Sequence, residues 1–145
     1  MSRIVSFRGQ IADQAIDTIV LHTTDGSTGY RIVKFELMPK EYGGTSNEHT
    51  VQIFKTPQTV ASAVIDFSDN RLIAAGSINN TSNATNAPAQ LTVIFDNEIF
   101  NQDIFVTHID NASADPVNYY IELEQMPLDL NENTVATLKD IRNVA

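Results

Sequence analysis

The stretch from Val117 to Met126, VNYYIELEQM, decides the fold class because apolar and polar side chains alternate along it. Its odd-numbered positions up to residue 123 carry the apolar side chains Val117, Tyr119, Ile121 and Leu123. A period of two is the spacing of a β-strand with one buried face, and this pattern is typical of antiparallel sheets. The stretch therefore predicts a half-buried antiparallel strand.

Eight further segments predict strands, either from the same alternation or from enrichment in β-branched and aromatic residues. They are 3–11, 16–23, 30–38, 49–54, 60–66, 71–76, 91–96 and 103–110. Turn-forming residues separate them, and strands do not alternate with helical segments. The sequence predicts an all-β protein, an antiparallel β-sandwich of jelly-roll-like type that forms a single domain over residues 1–145.

Two segments depart from the strand pattern. Residues 77–90, SINNTSNATNAPAQ, have Ile78 as their only large apolar side chain, which predicts a long exposed polar loop. Such a loop either contacts a partner or is a tolerated insertion. Near the C-terminus, Asn131 is a candidate N-cap and Val135, Leu138 and Ile141 form an apolar stripe, so we expect a short helix over about 132–142. That stripe docks on the open end of the sandwich or on a neighbouring subunit.

Composition excludes several classes of protein. The chain has 145 residues, no Cys and a net charge of −9. It therefore lacks disulfides, thiolate nucleophiles and Cys-based metal sites. The acidic charge disfavours nucleic acid as a partner. The charged N-terminus and the absence of a long apolar run predict neither a secretion signal nor a transmembrane helix, so no membrane partner is expected.

No motif for catalysis, a metal or a cofactor is present. His22, His49 and His108 stand alone without a ligand or triad spacing. The oxygen-rich stretches 66–70 and 96–98 lack the spacing of a calcium loop and are typical of turns. Glu122 and Glu124 are interpreted as an ordinary solvated strand face. We therefore expect no enzyme activity, no catalytic residue, no cofactor and no metal.

Some strands are apolar on both faces. Along 103–110, Phe105 and Ile109 fall on one face while Ile104 and Val106 fall on the other. A single sandwich core covers only one of these faces. Either an additional element, for which the terminal helix is a candidate, or a partner must cover the second face.

The run from Thr92 to Asn143, together with Ser6 to Gln10 and Gly29 to Phe35, resembles small virion proteins of marine tailed bacteriophages. The resemblance implies a structural protein of the head-decoration or cement type, often a β-sandwich or jelly roll clustered on the major capsid protein. Its place would be the exterior of the capsid in the virion, after synthesis in the cytoplasm of the host bacterium. The family has no catalytic residues.

The expected partners are the major capsid protein or another virion protein, and further copies of the chain, with a trimer as one candidate. Alternatives are a phage tail or neck component and a carbohydrate-binding adhesin module, for which Tyr30, Tyr42 and Tyr120 are the candidate aromatic residues. The predicted partner contacts lie on strands, on the polar loop and on the terminal helix. They are Phe105, Ile109, Tyr120, Asn79, Asn80, Asn83, Asn86, Val135, Leu138 and Ile141.

Overall fold

Two antiparallel sheets make up the part of the chain that the computed structural model describes, which is residues 3–80, 89–95 and 98–128. The strands are β1 (Arg3–Ile11), β2 (Ile16–Ile19), β3 (Thr28–Pro39), β4 (Asn47–Phe54), β5 (Leu72–Asn80), β6 (Gln90–Ile94), β7 (Ile104–Asp110) and β8 (Val117–Pro127). One sheet has the order β1-β8-β3 and the other the order β2-β7-β4-β5-β6. The described residues contain no helix. The predicted all-β sandwich is confirmed.

The core lies between the two sheets and is formed by the apolar positions of the alternating strands. Ile121 and Leu123 of β8 are fully buried against residues such as Val51 and Ile53 of β4. Tyr119 links the sheets at a further point, because its hydroxyl donates a hydrogen bond to Asp17 Oδ2 at 3.0 Å. Burial, the charge of Asp17 and this hydrogen bond all raise the pKa of Tyr119, so the phenol stays protonated as the donor.

Gly76 of β5 allows the sheets to approach each other closely. A Cβ atom at this position would lie 2.9 Å from Thr92 Cγ2 and 3.1 Å from side-chain carbons of Leu37 and Phe35. Contacts below 3.0 Å require a neighbour to shift, and two of these neighbours belong to the packed core. Glycine is therefore the residue that fits here.

The structure confirms eight of the nine predicted strands, and the prediction of a strand over 60–66 is wrong. Those residues belong to the connection between β4 and β5 and form no strand. The carbonyl oxygens of Ser62 and Val64 accept hydrogen bonds from the side chain of Gln52. The β-branched residues of this segment suggested a strand, but their backbone is satisfied by a side chain instead of a neighbouring strand.

The predicted exposed loop over 77–90 is also corrected, since both of its ends belong to strands. Strand β5 continues to Asn80 and pairs with β4 as far as Asn47, and Ile78 is buried in the core. At the other end, β6 begins at Gln90, whose Oε1 accepts a hydrogen bond from the backbone N–H of Leu37 at 2.6 Å. Residues 81–88 lie outside the described residues, and Asn83 and Asn86 lie there with them.

The sequence predicted Asn80 to lie in an exposed loop, but this residue is only 3% exposed. Its Nδ2 donates to the carbonyl oxygens of Glu41 and Thr45, each at 2.9 Å, and its Oδ1 accepts from the backbone N–H of Gly43 at 3.1 Å. One polar side chain thus satisfies the backbone of the β3–β4 turn. A run of polar residues at this strand end therefore indicates a buried hydrogen-bond network rather than solvent exposure.

The predicted helix over 132–142 lies outside the described residues. The same holds for Val135, Leu138 and Ile141, so the helix and its proposed docking stay predictions.

We expect Asn80→Ala to lower the free energy of unfolding by about 2–3 kcal/mol, because it removes three hydrogen bonds that a buried side chain makes to the backbone of the β3–β4 turn. The matched control is Asn79→Ala on the exposed neighbour, which should cost less than about 1 kcal/mol. Urea unfolding followed by circular dichroism measures both values. Equal stability of the two variants would contradict the structural role of Asn80.

Candidate functional site

Part of the second face of the five-stranded sheet is covered by the chain itself. The β4–β5 connection, residues 55–71, crosses the outer side of β4, where the Nε2 of buried Gln52 donates to Ser62 O at 2.9 Å and Val64 O at 3.1 Å. The sequence left two ways to cover the second face, an additional element of the chain or a partner. Over β4 the structure shows an additional element. That element is this connection.

Apolar and charged contacts hold both ends of the connection in place. Phe67 packs edge to face on Phe95, with ring centroids 5.0 Å apart and an interplanar angle of 84°. Phe95 in turn packs on a small cluster formed by Phe54, Leu72 and Ala75. At the start of the connection, buried Lys55 forms an ion pair with Glu98.

At the end of the connection, Arg71 Nη2 lies 2.8 Å from Asp69 Oδ2, and hydrogen bonding to this guanidinium lowers the pKa of Asp69. The backbone N–H of Lys55 also donates to Arg71 O at 3.0 Å, which brings the two ends together. Together, these contacts make the connection an ordered part of the surface.

The connection also exposes apolar side chains. Among the described residues, nine large apolar side chains are exposed, and four of them lie on this segment. Leu91 is also exposed, on β6 at the edge of the five-stranded sheet. We call these five residues the outer apolar surface: Val60, Val64, Ile65, Phe67 and Leu91. Large apolar side chains that are exposed on one segment of a soluble protein are typical of interaction sites.

A groove with a volume of about 510 Å³ lies on the other sheet and is lined by both polar and apolar groups. Its walls include Arg8 of β1, Tyr120 of β8 and Glu36 of β3, which lie side by side in the strand register. Asn118 and Met38, also side by side, continue the lining. We call this the Tyr120 groove. The outer sides of the two sheets therefore differ: one exposes large apolar side chains of the β4–β5 connection, and the other carries a groove with charged residues beside an aromatic ring.

The predicted partner contacts that fall within the described residues are dispersed over the fold. Phe105 and Ile109 are half-buried on the outer face of β7, and Asn79 is exposed on β5. Tyr120 is half-buried on the opposite sheet. Asn80 is buried and hydrogen bonded within the chain. The structure thus does not bring these residues together in a single surface.

Of the three tyrosines named as aromatic candidates, only two are accessible. Tyr30 is buried and stacks on Phe100 with ring centroids 6.4 Å apart. Tyr42 is exposed on the β3–β4 turn, and Tyr120 lines the groove. Sequence reasoning found Tyr120 but missed Arg8 and Glu36, because only the register of three strands places them on either side of it.

A buried histidine pair lies at one end of the sandwich. His49 Nδ1 is 2.8 Å from His108 Nε2, and His108 Nδ1 is 3.0 Å from Ala12 O. A carbonyl only accepts, so His108 Nδ1 carries a proton, and its Nε2 then accepts the proton of His49 Nδ1. The remaining His49 Nε2 is buried without a hydrogen-bond partner. Burial, followed by the proximity of His108, lowers the pKa of His49.

Asp110 anchors the backbone beside this pair. Its carboxylate accepts hydrogen bonds from the backbone N–H groups of Glu48, Ala112 and Asp115 at 2.9–3.0 Å and from Asn47 Nδ2 at 3.2 Å. Burial alone would raise the pKa of Asp110, but these hydrogen bonds outweigh it and hold the pKa well below its ordinary value. The carboxylate is occupied in joining turns of the fold.

Metal-binding groups do not cluster in the part of the chain that the structure describes, since no three His, Asp or Glu side chains there could hold a metal ion together. His22 Nδ1 contacts Asp103 Oδ1 at 2.7 Å on the surface, whereas His108 pairs with His49. Within the described ranges, no helix is long and apolar enough to cross a membrane.

The fold and these surfaces define an antiparallel β-sandwich with two chemically different outer sides. No protein-family model matches the chain, and no curated protein sequence matches it.

The histidine pair generates a pH prediction. The unfolded chain binds a proton at His49 near the ordinary pKa of 6.5, whereas the folded protein keeps this side chain neutral to lower pH. Below pH 6.5 the unfolded state therefore binds more protons, and the free energy of unfolding falls as the pH drops. His49→Gln should make this fall shallower between pH 6.5 and 5, by at most ~1.4 kcal/mol per pH unit.

Urea titrations at several pH values measure this dependence. The fall below pH 4 should persist in both proteins, because it comes from carboxylates with lowered pKa values such as Asp110, whose stabilising effect is lost as they become protonated. Identical slopes of wild type and His49→Gln above pH 5 would show that His49 does not titrate as described.

Proposed function

We propose that the chain is a non-enzymatic structural protein of a tailed-phage virion, a decoration or cement protein that binds the major capsid protein on the outside of the shell. The resemblance of residues 92–143 to small virion proteins supports this class of function. The β-sandwich fold is compatible with it. A tail or neck component is the alternative within the same class, and it differs in the number of copies per particle.

The observation that carries the proposal is the outer apolar surface. Val64 is 76% exposed and Phe67 is 59% exposed, although side chains of this size and polarity are usually buried in a core. A partner that covers them gains roughly 25 cal/mol for each Å² of apolar surface removed from water. The surface is therefore suited to docking on another protein.

The surface is also preorganised for binding. Gln52 fixes the backbone at Ser62 and Val64, and the Asp69–Arg71 pair fixes the end of the connection. Binding through an ordered segment costs less conformational entropy than binding through one that must fold first. A repeated particle component that docks many times benefits from such a fixed surface.

The charge around the surface indicates the chemistry of the partner. Asp66 and Asp69 lie beside Phe67, and both have lowered pKa values, Asp66 through hydrogen bonds from Ser68 and Asp69 through Arg71. Both stay ionised, Arg71 offsets the charge of Asp69, and the chain as a whole carries −9. We expect the docking site on the shell to be an apolar depression with basic residues at its rim.

The proposal predicts that purified particles contain the chain in a number comparable with that of the major capsid protein. Quantitative mass spectrometry of particles separated from free protein measures this ratio. A tail or neck component would be present in only a few copies per particle. That result, or absence of the chain from particles, would overturn the decoration role.

A variant tests the docking surface directly. We expect Val64→Ser combined with Phe67→Ser to abolish binding to undecorated shells in a sedimentation assay. Ile4→Ser is the matched control, because Ile4 is 56% exposed but lies on the three-stranded sheet. Circular dichroism checks that all variants fold. If the double variant binds shells as well as wild type, the outer apolar surface is not the docking site.

A further inference from the structure

The Tyr120 groove places two opposite charges on either side of an aromatic ring. Arg8 pairs with Tyr120 across β1 and β8, and Glu36 pairs with Tyr120 across β3 and β8. Neighbouring strands lie about 4.8 Å apart, so the backbones at Arg8 and Glu36 are separated by roughly 10 Å. Tyr120 lies between them, at the centre of the sheet.

The polar groups of the groove keep hydrogen-bonding capacity for a ligand. Within the described residues, Arg8 makes no side-chain hydrogen bond or ion pair, so its whole guanidinium is available. Glu36 accepts one hydrogen bond, from Gln90 Nε2 at 3.2 Å through its Oε2. Asn118 Oδ1 accepts from Gln10 Nε2, while its Nδ2 has only a long contact of 3.4 Å to Pro39 O. The groove therefore offers both donors and acceptors.

The orientation of the Tyr120 ring is set by its own strand. The Tyr120 hydroxyl donates to Glu122 Oε2 at 2.7 Å, two residues further along β8. This hydrogen bond fixes the hydroxyl end of the ring to a position further along the same strand. Lys34 Nζ lies over the ring, 6.0 Å from its centroid. The ring also lines the groove.

These groups match a saccharide better than other classes of ligand. A pyranose ring has a face of C–H bonds that packs on an aromatic ring and a rim of hydroxyl groups that both donate and accept hydrogen bonds. A phosphate-rich ligand is disfavoured by Glu36, Glu122 and the net charge of −9. A peptide strand has no edge to join at Tyr120, because β8 is paired on both sides.

We propose that the Tyr120 groove is a saccharide-binding site. The sugar ring stacks on Tyr120, its hydroxyls bind Glu36 and Asn118, and Arg8 binds a hydroxyl or the carboxylate of an acidic sugar. The volume of about 510 Å³ lies within the range of small-molecule sites. This site is independent of the capsid-binding role, since it lies on the opposite sheet from the outer apolar surface.

The test is a titration of the full chain, labelled with ¹⁵N, with a panel of neutral oligosaccharides and oligosaccharides that contain uronic acids. Chemical-shift changes should centre on Arg8, Glu36 and Tyr120. Tyr120→Ala should weaken binding about tenfold, which is the upper range for an aromatic stacking contact. Arg8→Gln should weaken binding of the acidic sugars more than that of the neutral ones.

Tyr42→Ala is the matched control, because Tyr42 is 52% exposed and lies outside the groove. It should bind saccharides as wild type does, and Tyr120→Phe should retain most of the affinity. Spectra of the free variants check that each is folded. The proposal is overturned if no saccharide in the panel binds, if Tyr42→Ala weakens binding as much as Tyr120→Ala, or if the shifts centre on the five-stranded sheet.

Discussion

The two hydrogen bonds from the Gln52 side chain to the carbonyl oxygens of Ser62 and Val64 are the contact on which the outer side of the molecule depends. They hold the β4–β5 connection against a sheet that would otherwise present a second face to water. Without them, the buried amide of Gln52 and the carbonyls of Ser62 and Val64 would lose their partners. Gln52, in the central strand of this sheet, thus anchors a connection that covers part of the outer face. No third layer of helices or strands lies there in the described residues.

The consequence is a molecule whose two outer sides offer different chemistry. On the five-stranded sheet, the connection hides part of the strand surface but exposes Val64 and Phe67. On the three-stranded sheet, the alternation of β8 places Tyr120 outward between Arg8 and Glu36. One side is suited to burial against a protein and the other to a polar ligand. A protein bound to a particle through the first side would leave the second side facing solvent.

Most of the fold followed from local patterns. The alternation in β8 and its partners predicted half-buried strands, and the sandwich followed because such strands must bury their apolar faces against each other. The prediction of a strand over 60–66 is wrong because propensity reports local preference, whereas the side chain of Gln52, ten and twelve residues away, supplies hydrogen bonds to this segment. Asn80 was placed in a loop because composition cannot distinguish a solvated asparagine from one that is buried and fully hydrogen bonded.

The candidate sites are harder to predict from the sequence than the fold is. Tyr120 was recognised as an outward aromatic residue, but Arg8 lies more than a hundred positions away and meets it only through strand register. The His49–His108 contact joins residues 59 positions apart and leaves no local signal. The sequence did not predict the outer apolar surface either, since four of its residues fall in predicted strands and Phe67 falls in a predicted turn. Features built from distant parts of the chain require the topology, which short sequence patterns do not encode.

The most direct test of this two-sided arrangement is amide hydrogen exchange of the chain, free and bound to undecorated capsid shells. We predict that binding slows exchange in the β4–β5 connection around residues 59–68 and leaves exchange in β1 and β8 unchanged. Slower exchange confined to the three-stranded sheet, with the connection unaffected, would contradict the assignment of the docking side.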